Sequence, residues 1–439
     1  MDQPEQSEVK QPEIKQEDIE VLTNHGKLPP RGKPVSVSHM RDLGIPVGIK
    51  TMTDSLEELK NNPPGIVIGE AVRDVTFIQN YFKEQKLRKR HKYVMGFGVY
   101  QQLHYDQARN VKLLKPSSIK FKNVYSPYKG QNLDDKTLVV SRTGGIGDLL
   151  FIQPNLRFLK EKYPTCTIKF GCGPQYQSMV ETWDCVDYVL DLPYPYIHLQ
   201  HSHYQAIFEG VIERCTQAHR DNAYRLFTTW LGLNLPDELL VPKQTAKADK
   251  VLECTGILEN WKIKEKDFIM LQPKSSSPVR SPSPVIWINL VNELTSRGHN
   301  VVITDSPRNA NGVDKLRGYM RDKEKVFNFC RYSSSLDYTI AMASLCSLGF
   351  GPDSAILHIA ESLDVPSFGL YGPFPAHIRL GTYKKAGWVE ASRECAPCFI
   401  HGHNPCEPAR LEKTPWSPCY NSLDPKKMAD EIERLIENG

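Results

Sequence analysis

From Lys136 onward the chain alternates short apolar strands with helix-like stretches, and it does so in two successive series. This alternation constrains the fold more than any other feature, because parallel strands need long crossovers and helices are what fill them. In the first series Thr137–Ser141 reads as a strand, Gly144–Gly147 as a turn and Asp148–Tyr163 as a helix, with Leu149, Ile152, Leu156 and Leu159 at apolar spacing. Thr167–Phe170 and Tyr188–Leu190 supply further strands. A helix-like stretch at Tyr224–Leu231 and a polar connection at Pro236–Lys250 lead into the second series. There Phe268–Leu271, Val301–Thr304, Val326–Phe329, Ser347–Phe350 and Pro366–Tyr371 read as strands, and Val285–Arg297 and Ala355–Leu363 as helices. The pattern predicts an α/β protein of two doubly wound domains, residues 136–250 and 251–439, with a ligand in the cleft between them.

At 439 residues the chain has room for such a pair and for an additional segment. Residues 1–34 read as a disordered acidic tail, since residues 1–20 carry seven acids against two lysines and almost no core-forming pattern. Residues 35–135 read as a mixed α/β accessory segment, with strands at Gly65–Ile68 and Tyr93–Met95 and a helix over Val72–Gln85. No apolar run approaches the length of a membrane span and the N-terminus lacks a secretory pattern, so the expected location is cytoplasmic, with peripheral membrane contact left open. Of the eleven cysteines, seven are scattered through predicted elements and read as buried free thiols.

Two turns carry the chemistry. The first, Arg142-Thr-Gly-Gly-Ile-Gly-Asp148, joins a strand to an apolar helix; Gly144, Gly145 and Gly147 let the backbone approach an anion, and free amides at the helix start favour negative charge. It has neither the spacing of the dinucleotide fingerprint nor the lysine of a nucleoside-triphosphate loop. By its position alone, Asp148 at that helix start is what capping of free amides and the helix dipole calls for; the second turn is what points to chemistry. The second turn, Gly349-Phe-Gly-Pro-Asp353-Ser354, also follows a strand and opens a helix, where amides and a hydroxyl suit a diphosphate. His358, four residues on, reads either as a phosphate donor or as a satisfied core histidine.

These motifs, Gly144-Gly-Ile-Gly-Asp-Leu-Leu-Phe-Ile-Gln-Pro154 and Gly351-Pro-Asp-Ser-Ala-Ile-Leu-His-Ile-Ala-Glu-Ser-Leu363 followed by Tyr371-Gly-Pro-Phe374, resemble those of glycosyltransferase family 9, the heptosyltransferase-like enzymes of the GT-B fold. The resemblance runs from Thr137 to Asn438, and Ser354-Ala355 departs from the threonine-glycine that is usual there. It implies two facing Rossmann-like domains and an inverting, metal-independent transfer from a nucleotide sugar, with an ADP-sugar favoured. Asp148 would be the general base on the acceptor hydroxyl. Asp353, Ser354 and His358 would belong to the donor loop, with Ser275 and Arg280 as diphosphate ligands and Lys274 the competing cation. No cofactor is needed beyond the nucleotide-sugar co-substrate.

Cys395, Cys398, Cys406 and Cys419 have a first spacing that suits a structural zinc, with reduced thiols as the plain alternative and His401 and His403 as competing ligands. Lys83–Lys92 holds six lysines and arginines against one glutamate, with Lys112, Lys115, Lys120 and Lys122 beyond and Tyr93, Phe97, Tyr100 and Tyr105 interleaved. That is either a solvated basic face or a surface for an anionic acceptor, a lipid-linked glycan or nucleic acid. Other readings are an inactive sugar-nucleotide or glycan-binding protein, a nucleotide-sugar epimerase, and a transferase acting on modified DNA.

Overall fold

A computed structural model describes residues 14–15, 66–79, 83–96, 99–100, 103, 110–114, 127–400, 402 and 404–439. The acidic tail apart from Ile14 and Lys15, together with Gly65, Phe97, Tyr105, Lys115, Lys120 and Lys122, lies outside the described residues.

The first α/β series forms a four-stranded parallel sheet in the order β10-β6-β7-β8. Its strands are β6 (Thr137–Ser141), β7 (Thr167–Cys172), β8 (Tyr188–Asp191) and β10 (Tyr204–Ile207). Leu138, Val139 and Val140 are all buried, the unbroken apolar run that a strand covered on both faces requires. Helix α1 (Ile146–Lys162) follows β6, and α2 (Ala223–Trp230) packs beside it through Phe151, whose ring meets Tyr224 edge-on at 4.7 Å. Because β10 returns to the far side of β6, the strand order reverses between them, and the loops after these two strands face a common crevice.

The second series builds a six-stranded parallel sheet from β11 (Phe268–Leu271), β12 (Asn300–Ile303), β13 (Val326–Asn328), β14 (Leu348–Pro352), β15 (Ser367–Tyr371) and β16 (Ala386–Glu390). The order is β13-β12-β11-β14-β15-β16, so its reversal lies between β11 and β14. Helices α3 (Ala248–Asn260), α4 (Pro284–Ser296), α5 (Ala310–Gly318), α6 (Leu336–Leu345), α7 (Ala355–Ser362) and α8 (Pro425–Asn438) cover its faces. One apolar cluster is continuous across the two sheets, joining Phe151, Tyr224 and Phe227 to Ile356, Leu357, Tyr371, Leu380 and Tyr383. The two reversal points are thereby turned toward one another.

The accessory segment departs from expectation. Within the described residues Val72–Gln85 is not a helix but part of an antiparallel ribbon, β2 (Val75–Gln79) paired with β3 (Lys83–Leu87). The cause is a two-residue period: Val75 and Phe77 are buried around an exposed Thr76, and Gln85 and Leu87 are buried beside exposed Glu84 and Lys86. The predicted strands are present as β1 (Ile66–Ala71) and β4 (Lys92–Gly96), in an antiparallel sheet ordered β5-β1-β4-β9, with β5 at Val111–Leu113 and β9 at Tyr194–Pro195. As β9 comes from the first α/β series, this sheet is stitched to it; the Tyr194 hydroxyl also lies 3.0 Å from that of Ser141. At the end of β4, a Cβ on Gly96 would stand 2.7 Å from Thr143 Cγ2, so the sheet abuts the glycine turn.

Candidate active site

The first crevice is organised by Arg142. Its side chain is buried, and its guanidinium donates to the carbonyls of Gly144 (3.0 Å) and Phe208 (2.9 Å), to both oxygens of Glu213 (3.2 and 2.6 Å) and to Asp148 Oδ2. The Thr143 amide donates to Glu209, so the β6 and β10 loops are locked together. Gly145 has φ +86°, and an added Cβ would fall 2.2 Å from Asp148 Oδ2. The turn thus needs glycine twice, for its backbone and for the space the carboxylate occupies. Each of the three glycines accommodates a protein side chain at close range: Gly144 that of Tyr176, Gly145 that of Asp148 and Gly147 that of His358. Burial pushes the Asp148 carboxyl above its ordinary range; the Arg142 charge opposes this and Glu213 reinforces it. A raised carboxyl beside a cleft suits proton uptake better than an ordinary aspartate does.

Across the seam, β14 delivers Asp353 and Ser354 to the start of α7, and the β11 loop delivers Arg280. Arg280 Nη1 donates to Asp353 Oδ2 (3.0 Å) and to its carbonyl (2.9 Å), and Nη2 donates to Ser276 Oγ (2.8 Å). Burial alone would raise the Asp353 carboxyl; Arg280, Arg379 and His358 outweigh it and hold the group below its usual range, as an anion. Ser354 Oγ is buried without a partner among the described residues. Ser275 Oγ accepts from the Ser277 amide at 3.4 Å, so that hydroxyl shapes the serine-proline loop. Lys274 feels the charge of Asp305, and Arg280 is the cation that forms an ion pair with Asp353.

His358 belongs to both halves. Its Nδ1 lies 2.6 Å from the Tyr383 hydroxyl, which in turn lies 2.7 Å from that of Tyr224 on α2. Its ring meets Phe151 of α1 edge-on at 4.9 Å. Burial pushes the imidazole down to about 4, so it is neutral at physiological pH. The histidine is satisfied through Nδ1 and at the same time brought against the first glycine turn.

Asp148, Arg280, Asp353, Ser354 and His358 therefore face one seam. Sequence reasoning missed Arg142, Glu209, Glu213, Tyr224, Tyr383 and Arg379. Arg142 adjoins the glycine motif and was within reach; the carboxylates and tyrosines are remote in sequence and carry no local signature.

The four C-terminal thiols lie within electrostatic reach of one another, and burial followed by its neighbours pushes the Cys419 thiol up to about 12. Among the described residues, however, no group of three or more His, Cys, Asp or Glu side chains is arranged to hold a metal ion, and His401 and His403 lie outside those residues. Cys419 has a packing role, for a Cβ on Gly372 would come within 2.9 Å of its sulfur. All seven scattered cysteines are buried and free.

Two parallel sheets whose reversal points face one another define a GT-B-type α/β protein. Residues 194–406, just under half of the chain, match the profile of glycosyltransferase family 9 (heptosyltransferase), to which the chain is similar. Lipopolysaccharide heptosyltransferase 2 of Salmonella typhimurium is 23% identical over 145 residues, 32% of this chain and 40% of that protein's length. The E. coli ADP-heptose lipopolysaccharide heptosyltransferase II structure is 14% identical, with a TM-score of 0.51 over 69% of this chain and 99% of that one. TibC, a dodecameric iron-containing glycosyltransferase of enterotoxigenic E. coli H10407, is 12% identical, with a TM-score of 0.50 over 89% of this chain and 98% of that one. No helix among the described residues is long and apolar enough to cross a membrane.

Proposed function

We propose that the protein is an inverting heptosyl- or hexosyltransferase that takes its sugar from an ADP-activated donor. The observation that carries this reading is the meeting, across one seam, of a carboxylate raised by burial, Asp148, with a cation-bearing helix start, Arg280 and Asp353–Ser354. In the transfer, Asp148 takes the proton of the acceptor hydroxyl as its oxygen bonds to the anomeric carbon. The bond from that carbon to the donor phosphate breaks on the opposite face, and its electron pair leaves with the nucleoside diphosphate. Arg280, the amides at the start of α7 and the Ser354 hydroxyl offset the developing phosphate charge, the work a divalent metal performs in other transferases. Arg142 orients Asp148, and its hold on Glu213 keeps the β10 loop in place. Gly144, Gly145 and Gly147 keep the turn compact, so that the base reaches the acceptor hydroxyl.

The donor follows from the names of the similar proteins, two of which are heptosyltransferases. A thermal-shift series with ADP-, UDP-, GDP-, CDP- and dTDP-sugars tests it, since only a ligand of the native state raises the melting temperature. Stabilisation by the ADP class, retained in Asp148→Asn and reduced in Arg280→Ala, supports the reading; equal indifference to all five classes refutes it.

The antiparallel sheet abuts Thr143 in the turn that holds Asp148, which supports an acceptor-side role for the accessory segment. Its exposed Lys86, Arg88, Lys89 and Arg90 favour an anionic acceptor such as a lipid-linked or phosphorylated glycan. The four C-terminal thiols, which lie close enough to act on one another electrostatically, are the candidate ligands of a structural metal. Metal analysis of the purified protein tests this: stoichiometric zinc or iron that is lost in a Cys395→Ser, Cys398→Ser double variant supports a site, and metal-free protein in both forms removes it.

A further inference from the structure

One cation in the cleft is not used by this scheme. Arg379 lies in the short helical turn His377–Leu380, beyond β15 and Gly372-Pro373-Phe374. It is 8% exposed, and its Nη1 is buried without a hydrogen-bond partner among the described residues. No carboxylate among them lies within ion-pair distance of it. Its guanidinium carbon stands 5.4 Å from the centre of the Phe374 ring, a contact that positions the charge without neutralising it. Phe374 is braced edge-on by Phe399 at 6.0 Å, and Phe399 stacks on His219 of the first series at 4.6 Å. The arginine is thus fixed at the seam by residues of both halves.

A desolvated guanidinium without a carboxylate is costly to keep, and its planar fork suits the oxygens of a phosphate. Its surroundings say which phosphate. The Arg379 charge acts on Asp148 on one side of the seam and on Asp353 and His358 on the other, so it lies between the base and the donor loop. Arg280 is committed through Nη1 to Asp353 and also keeps a buried Nε without a partner among the described residues. Two guanidinium groups therefore share a single donor-loop carboxylate, and the excess positive charge matches a diphosphate. We propose that Arg379 binds the distal phosphate of the nucleoside diphosphate, the one bonded to the sugar, while Arg280 holds the phosphate nearer the nucleoside. As the sugar–phosphate bond breaks, Arg379 receives the oxygen that takes the electron pair.

The assignment rests on the donor reading above, and the following experiment separates the two. Calorimetric titration of ADP, AMP and inorganic pyrophosphate is carried out on the full chain as wild type, Arg379→Met, Arg379→Lys and Arg280→Ala, with each melting curve recorded. Arg379→Met is expected to weaken ADP at least about tenfold and AMP less than about twofold. Arg280→Ala should weaken both nucleotides, and Arg379→Lys, which keeps charge but not the fork, should fall between Met and wild type. A structural defect would lower both nucleotides together and cannot reproduce the change in their ratio. If Arg379→Met does not fold, the ratio in Arg379→Lys decides. An ADP-to-AMP ratio equal to that of wild type overturns the assignment and leaves the donor reading standing. Wild type that binds pyrophosphate through Arg379 but neither nucleotide overturns the donor reading and leaves an anion site. Wild type that binds none of the three overturns both.

Discussion

Replacing Gly145 by alanine tests in one residue how the turn makes a base out of Asp148. The backbone at Gly145 has φ 86° and ψ 106°, a region that residues with a Cβ rarely occupy, at a cost of roughly 1–3 kcal/mol. The new Cβ would stand 2.2 Å from Asp148 Oδ2 and 2.9 Å from its Cγ. A carbon–oxygen contact needs about 3.3 Å, so the carboxylate must retreat by about 1 Å. Displacement of that size at a reacting group costs about a hundredfold in rate. Gly298→Ala is the control: its φ is +105°, yet nothing lies within 4 Å of the added Cβ, so it carries backbone strain alone. Differential scanning fluorimetry should show a loss of about 2–4 °C for each kcal/mol in both variants. Sugar transfer measured by release of nucleoside diphosphate should fall only in Gly145→Ala. Full activity in Gly145→Ala at a lowered melting temperature would refute the geometric account of Asp148.

Four further outcomes follow from the same contacts. Tyr383→Phe removes the hydroxyl between His358 and Tyr224 and leaves two buried polar atoms unpaired, for a loss of about 2–4 kcal/mol in urea unfolding; Tyr224→Phe removes one hydrogen bond and leaves the Tyr383 hydroxyl paired with His358, so it should cost about 1 kcal/mol. In Arg142→Met the cation that opposes burial at Asp148 is gone, so the carboxyl rises further and the acidic limb of the kcat/KM profile moves to higher pH, if the protein is assayed where it remains folded. Burial raises Glu361 from 4.5 to about 7, so the folded state binds the extra proton and stability falls as pH rises from about 4.5 to 7, then levels off. Glu361→Gln should flatten that decline and add on the order of 2–3 kcal/mol at pH 8, read from urea midpoints at pH 5 and pH 8. Asp148→Asn should abolish transfer while leaving ADP binding within about twofold, since no donor-loop contact is lost; a parallel loss of ADP binding would place Asp148 in the donor site instead.

The alternation of strands and helices made both parallel sheets legible, because strands buried on two faces have to be apolar throughout, as Leu138–Val140 and Phe268–Leu271 are. The two glycine turns were legible for a related reason, since close approach leaves glycine few substitutes. The helix predicted over Val72–Gln85 failed where one apolar residue in two, not in four, faced the neighbouring sheet. What no local pattern carries is which distant groups share a crevice. Strand order alone puts the β10 loop, with Glu209 and Glu213, beside Asp148, and puts Arg280 beside Asp353 across the gap between β11 and β14. The closure of the two halves then brings Tyr224 to Tyr383 and leaves Arg379 buried with an unpaired nitrogen. Periodicity reports which face of an element is buried, so the sequence determined the elements and the turns between them. Long-range electrostatics depends on where those turns meet, and only the tertiary structure decided that.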